Sequence, residues 1–177
     1  MLKLSGKTRG FTIVELLIVI VIIGILAAVS IVAYNGVQKS ARDSVRKQDL
    51  TNLAKAIGLY AAEVGDYAEN GCGNGSGTGW LNSDYDGVGP LVSINNCLLG
   101  NGPNSSVNYL GKQLKDPSGR EYCAGLDCTA YMKASCASGT WVMAHLETLP
   151  QSSTDTDSTC VSSWDTLYGI NYIVRVK

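Results

Sequence analysis

Apolar and polar residues follow three different patterns along this chain. Residues 16–29 read LLIVIVIIGILAAV with no polar side chain, and extension to residue 33 adds only Ser30. Counted from Phe11, the apolar stretch is broken only by Thr12, Glu15 and Ser30. A bilayer core about 30 Å thick needs roughly 20 helical residues to cross it. Residues 11–35 are therefore predicted to be a membrane-spanning helix. The next pattern is amphipathic. Leu50, Leu53, Ala54, Ile57, Tyr60 and Ala61 recur at i, i+3, i+4, i+7 spacing, which marks one buried helical stripe. Lys39, Arg42, Asp43, Arg46, Lys47, Asp49 and Lys55 are assigned to the other faces. Almost no turn signal interrupts residues 38–62, so one continuous helix is expected over residues 11–62, with Gly65 as its stop. Its second half, residues 36–62, must lay its stripe against something outside the membrane.

The third pattern begins at residue 63. GCGNGSGTGW and GNGPNSS mark turns and loops, with short helices expected near residues 91–99 and 107–114. Residues 129–135 and 140–148 alternate partly and are joined by CASG, a hairpin signal. INYIVRV, at residues 170–176, reads as a closing strand, and residues 149–164 as a polar loop. The predicted fold class is α+β: a long helix, half membrane-spanning and half amphipathic, packed on a small antiparallel sheet in a loop-rich head.

Charge sharpens this picture. Lys3, Lys7 and Arg9 precede the apolar stretch, whereas residues 63–177 carry six basic and twelve acidic groups, a net of −6. A basic start places the N-terminus in the cytoplasm and everything beyond about Val37 outside. Charged residues make up only 16% of the chain, which excludes a disordered polyelectrolyte or a histone-like nucleic-acid binder. With no basic stripe on the head, no direct nucleic-acid partner is expected.

All six cysteines follow the apolar stretch: Cys72, Cys97, Cys123, Cys128, Cys136 and Cys160. An even number in an exported, loop-rich region reads as disulfides. Fifteen pairings are possible. The expected set is Cys72–Cys97, stapling the Gly-rich region, with Cys123–Cys128 and Cys136–Cys160. The cysteine spacings lack the paired short loops of a zinc ribbon, and His145 is the only histidine. No metal, cofactor or catalytic set is expected, and His145 is read as structural. Asp155 and Asp157 supply oxygens that calcium can use, but a solvated loop is the simpler reading. Tyr34 and Tyr60 share the helix with Phe11, too sparsely for an electron path, and are read as packing residues.

Glu15 is the informative residue. A carboxylate inside an apolar span costs about 2.5–3.5 kcal/mol on insertion scales, so it normally has a partner. The run Lys7-Thr8-Arg9-Gly10-Phe11-Thr12-Ile13-Val14-Glu15-Leu16-Leu17 resembles the class III signal of type IV pilins and pseudopilins. In that family a basic leader ends in Gly, Phe follows, and Glu stands five residues into the mature chain. The resemblance extends to about residue 62. It implies a leader at residues 1–10, cleavage between Gly10 and Phe11 by a prepilin peptidase, and methylation of the new Phe11 amine. It also implies assembly through Glu15, with Thr12 beside it, into a helical homo-oligomeric filament. An inner-membrane platform and its ATPase would extract the subunit from membrane lipid. The expected location is the inner membrane as a single-pass precursor, then an extracellular pilus or periplasmic pseudopilus.

Many relatives carry a Pro about eight residues after a helix Gly. Here Gly24 is followed by Val32 at that distance, which sets this helix apart. Asp116-Pro117-Ser118-Gly119-Arg120-Glu121-Tyr122 is similar to the D-P-x-G-x-x-Y turn of major pseudopilins, and TWVMAHLET to a strand of pilin-like heads. The alternative from another class is a membrane-anchored extracytoplasmic binding module that never polymerises and keeps its leader.

Overall fold

The computed structural model describes residues 10–73, 79–82, 92–121, 125, 128–150 and 167–177. The chain divides into two compact units, one ending at Gln38 and the other running from Lys39 to Lys177. A single helix, α1 (Ile13–Val64), supplies nearly all the described residues of the first unit and opens the second.

In the first unit α1 has no buried side chain. Its aliphatic residues are half or more exposed, from Ile22 at 50% to Ile13 at 83%. An 18-residue window reaches a mean hydropathy of 3.3, so the helix is long and apolar enough to cross a membrane. Ser30, its one mid-segment hydroxyl, donates to the Leu26 carbonyl at 2.7 Å. That back-bond removes an unsatisfied donor from an apolar face.

The second unit is built on four antiparallel strands in the order β1 (Gly79–Trp80), β2 (Met132–Cys136), β3 (Gly139–Ala144) and β4 (Tyr172–Arg175). The β2–β3 hairpin pairs Cys136 with Gly139 and Met132 with Met143, around the expected turn. Strand alternation divides the core. Val142, Ala144, Tyr172 and Val174 face Leu50, Leu53, Ile57 and Tyr60 of α1 in one cluster. Met132, Ala134, Trp141, Met143 and Ile173 turn the other way, toward Trp80, Cys128 and Ile170. Lys133, between Met132 and Ala134, is fully buried. Its Nζ donates to Ser135 Oγ at 3.1 Å, and burial lowers its pKa to about 8.

Two glycines have positional reasons. Gly65 adopts φ +89° and its N–H bonds the Ala61 carbonyl at 2.9 Å, the left-handed helix stop anticipated there. At Gly58 the C-terminus crosses so closely that a Cβ would lie 2.9 Å from the Lys177 carbonyl oxygen.

Some boundaries differ from the expectation. The helix starts at Ile13 and ends at Val64, rather than spanning residues 11–62. The first short helix is one turn, α2 (Ile94–Asn96), continuing into a π-turn at Cys97–Asn101 that includes Gly100 at φ 82°. The second, expected near residues 107–114, is absent: those residues form bends and irregular backbone. Asn108 Oδ1 there accepts the N–H groups of Leu110 and Gly111. This side-chain turn competes with helix for the same donors.

Candidate functional site

The helix start is a reciprocal cap. The Thr12 N–H and hydroxyl both donate to Glu15 Oε2, each at 2.8 Å. The Glu15 N–H returns a bond to Thr12 Oγ1 at 3.2 Å, and Leu16 N–H reaches the Thr12 carbonyl at 3.3 Å. This is a Thr-x-x-Glu capping box, which satisfies donors that a helix start otherwise leaves open. Glu15 Oε1 has no partner among the described residues. Gly10 and Phe11 precede the helix, and Phe11 is 87% exposed. The Gly10–Phe11 peptide bond therefore lies outside the α-helical ladder. Glu15 is the only ionisable side chain of residues 10–33 that carries a charge at neutral pH.

A second polar constellation lies inside the head unit. Arg46 is fully buried and makes four hydrogen bonds. Its Nε and Nη2 grip Asp116 at 2.7 and 3.1 Å, and Nη1 reaches Asp43 at 2.7 Å and Glu147 at 2.8 Å. Asp43 also accepts the N–H groups of Glu147 and Thr148 and the Thr148 hydroxyl, at 2.9, 2.8 and 2.7 Å. Arg42 binds Glu147 in a two-pronged pair at 2.7 and 2.6 Å. The cluster thus ties α1 to the Asp116-Pro117 turn and to the segment after β3.

Electrostatics follow from this bonding. Arg42, outweighing partial burial and helped by Arg46, lowers the Glu147 pKa to about 2. Burial pushes Asp43 up, but its bonds from Thr148, Glu147 and Arg46 bring it below the ordinary aspartate value. For Arg46, burial disfavours the cation, and Asp116, Glu147 and Asp43 together overcome it. Burial and the 2.7 Å bond to Asp49 raise the Tyr131 phenol.

The expected Cys72–Cys97 bridge is present, and the expected pairings of Cys123 with Cys128 and of Cys136 with Cys160 involve residues outside the described ones. Cys72 and Cys97 form a disulfide closing a sequence separation of 25 residues. Cys128 and Cys136 are also disulfide-bonded. Cys123 and Cys160 lie outside the described residues, as do Asp155, Asp157 and Tyr122. Asp116-Pro117-Ser118-Gly119 forms the anticipated turn, closed by Gly119 N–H to the Asp116 carbonyl at 2.7 Å. His145 Nδ1 is bonded to the Gly169 carbonyl. Tyr60 is buried, whereas Tyr34 is 62% exposed. Among the described residues no group of three or more His, Cys, Asp or Glu is arranged to hold a metal ion.

Comparison with known proteins bears on the helix start. The family model described as "Prokaryotic N-terminal methylation motif" matches residues 6–31, a span holding Gly10, Phe11, Thr12 and Glu15. Over this segment the chain is similar to type IV pilins. Among curated pilins it is similar to the type IV major pilin protein PilA of Myxococcus xanthus, at 36% identity over 67 residues. That match covers 38% of this chain and 30% of the relative. The type IV wide pilus major component PilA4 of Thermus thermophilus is 42% identical over 64 residues, covering 36% of this chain and 49% of the relative. The chain thus spans half or less of the length of these pilins. No solved structure matches it significantly.

The Arg46 cluster escaped the sequence reading, which placed Asp43 and Arg46 on outward faces; both are buried. A signal was present. The buried series Asp43, Arg46, Leu50, Leu53, Ile57, Tyr60 advances in alternating steps of three and four. The core stripe therefore starts two stripe positions before its first apolar member, Leu50, and the charged Asp43 and Arg46 fill them.

Proposed function

We propose that this chain is a structural subunit of a type IV pilus or pseudopilus, carrying no reaction of its own. Cleavage after Gly10 by a prepilin peptidase leaves Phe11 as the N-terminus. N-methylation of that amine keeps its positive charge and removes one hydrogen-bond donor. The processed subunit waits in the inner membrane on its apolar helix, and an ATP-driven platform moves it into a helical homopolymer. Serving adhesion, motility, DNA uptake or secretion, the filament would present the disulfide-bonded head outward.

The observation that carries this reading is the half-satisfied Glu15 at the start of an exposed apolar helix. Thr12 occupies Oε2 from within the same subunit. The remaining oxygen is the acceptor for the Phe11 amine of a neighbouring subunit. Opposite charges attract strongly in a low-dielectric core, and pairing offsets the cost of burying either charge alone. The half-exposed aliphatic faces of residues 16–33 would become the filament core. Residues 1–10 are then a leader, residues 11–35 the core helix, and residues 63–177, with the amphipathic stretch 36–62, the subunit's outer part.

The test is the intact mass of the protein in sheared extracellular filaments, before and after reduction. The expected species starts at Phe11, is one methyl group heavier, and gains six hydrogens on reduction. A chain that retains its leader and is found only in membranes would overturn the assembly reading and leave an anchored binding module.

A further inference from the structure

We propose that the head carries a binding site for a phosphoryl anion in the concavity beside the Arg46 cluster, independently of whether the chain polymerises. A cavity of about 450 Å³ is lined by Lys39, Arg42 and Arg120 together with Ser118, Thr129 and His145. That volume suits a small ligand such as a glycerophosphate group. Its charge runs against the rest of the head, where acidic groups outnumber basic ones two to one over residues 63–177. Three cations line it against one carboxylate, Glu147.

The carboxylates near the cavity are already committed to protein donors. Glu147 holds Arg42 through both oxygens and Arg46 through Oε1. Asp116 is taken up by Arg46, the Ser118 N–H and the Ser118 hydroxyl. Asp43 is closed by Arg46, Glu147 and Thr148. Unspent donors remain on two of the cations: Lys39 has no ion pair or hydrogen bond among the described residues, and Arg42 uses only Nε and Nη2. Arg42 is held rigidly by Glu147, so its Nη1 edge is presented with little further ordering cost, which favours anion capture. A fixed guanidinium edge and an ammonium without an ion pair among the described residues are donors that phosphate oxygens match.

Two sources supply this chemistry. Lys39 and Arg42 follow the apolar stretch by a few residues in sequence, as juxtamembrane cations that bind anionic lipid headgroups do. A soluble phosphate ester presents the same oxygens. The full chain is examined in an uncharged detergent by amide NMR while glycerol 3-phosphate is titrated, with glycerol as control. A parallel arm uses nanodiscs of phosphatidylglycerol against phosphatidylcholine. Saturable shifts at Lys39, Ser118 and Thr129 are expected with the phosphate ester and not with glycerol. The double variant K39Q/R120Q should bind roughly five- to tenfold more weakly, whereas K55Q, on another face, should bind as the parent. Unchanged Val142 and Ile57 resonances verify the variant's fold, and K39R/R120K should restore binding. The same shifts in phosphatidylglycerol discs identify the lipid headgroup as a source; shifts confined to the free ester identify a soluble ligand. No saturable shift in either arm, or equal binding by K39Q/R120Q, overturns the proposal.

Discussion

Replacing Arg46 by Met tests whether the buried charge cluster holds the head together. Met roughly preserves the aliphatic volume but removes four hydrogen bonds. The three carboxylates lose unequally. Glu147 keeps its two bonds from Arg42, and Asp43 keeps three donors from Glu147 and Thr148. Asp116, whose side chain is fully buried, keeps only Ser118. Removing one partner of a buried pair and stranding the other costs about 3–5 kcal/mol, a large part of the roughly 5–15 kcal/mol of a typical domain. The assay is urea unfolding of the full, oxidised chain in detergent, followed by tryptophan fluorescence. A second change separates stranded charge from lost packing: Asp116→Asn added to Arg46→Met should recover about 2 kcal/mol, because the uncompensated charge is gone. A loss below about 1 kcal/mol for Arg46→Met, or no recovery in the double variant, would refute the reasoning.

Acid should act on the same cluster. The Glu147 pKa is depressed from 4.5 to about 2, so its stabilising contribution is complete above the unfolded value and lost as pH falls through about 2; Arg42→Met should flatten the unfolding midpoint against pH between about 5 and 2. Glu15→Val should leave membrane insertion intact and abolish filaments; normal filament yield from that variant would exclude charge pairing. Thr12→Val should fray the helix start, costing about 1 kcal/mol locally and speeding amide exchange at Ile13–Glu15, whereas Thr12→Ser should not. Gly58→Ala should lower the melting temperature, because a Cβ 2.9 Å from the Lys177 carbonyl oxygen costs about 1–3 kcal/mol of strain, more than the roughly 1 kcal/mol gained in helix propensity; an unchanged or raised melting temperature would show that the C-terminus yields freely.

Where one physical rule acts on contiguous residues, the chain could be read directly. Apolar length fixed the first half of α1, 3.6-residue periodicity found Leu50, Leu53, Ile57 and Tyr60, and a glycine stop marked Gly65. The hairpin was visible because alternation flanked a turn signal. What could not be read depends on partners far apart in sequence. Arg46 and Asp116 are 70 residues apart, and Arg42 and Glu147 are 105 apart. No local pattern distinguishes a charge that will meet such partners from one that will face water. The misreading of Asp43 and Arg46 came from treating charge as a marker of exposure. Periodicity was the stronger indicator, because a helix face is set by geometry before its side chains are known to be polar. The same rule separates the two halves of α1. Residues 16–33 are apolar on every face and so specify no single packing side, whereas residues 43–60 commit one stripe to the head. A helix built this way can change neighbours along its first half while its second half keeps the same core, as the proposed passage from lipid into a filament requires.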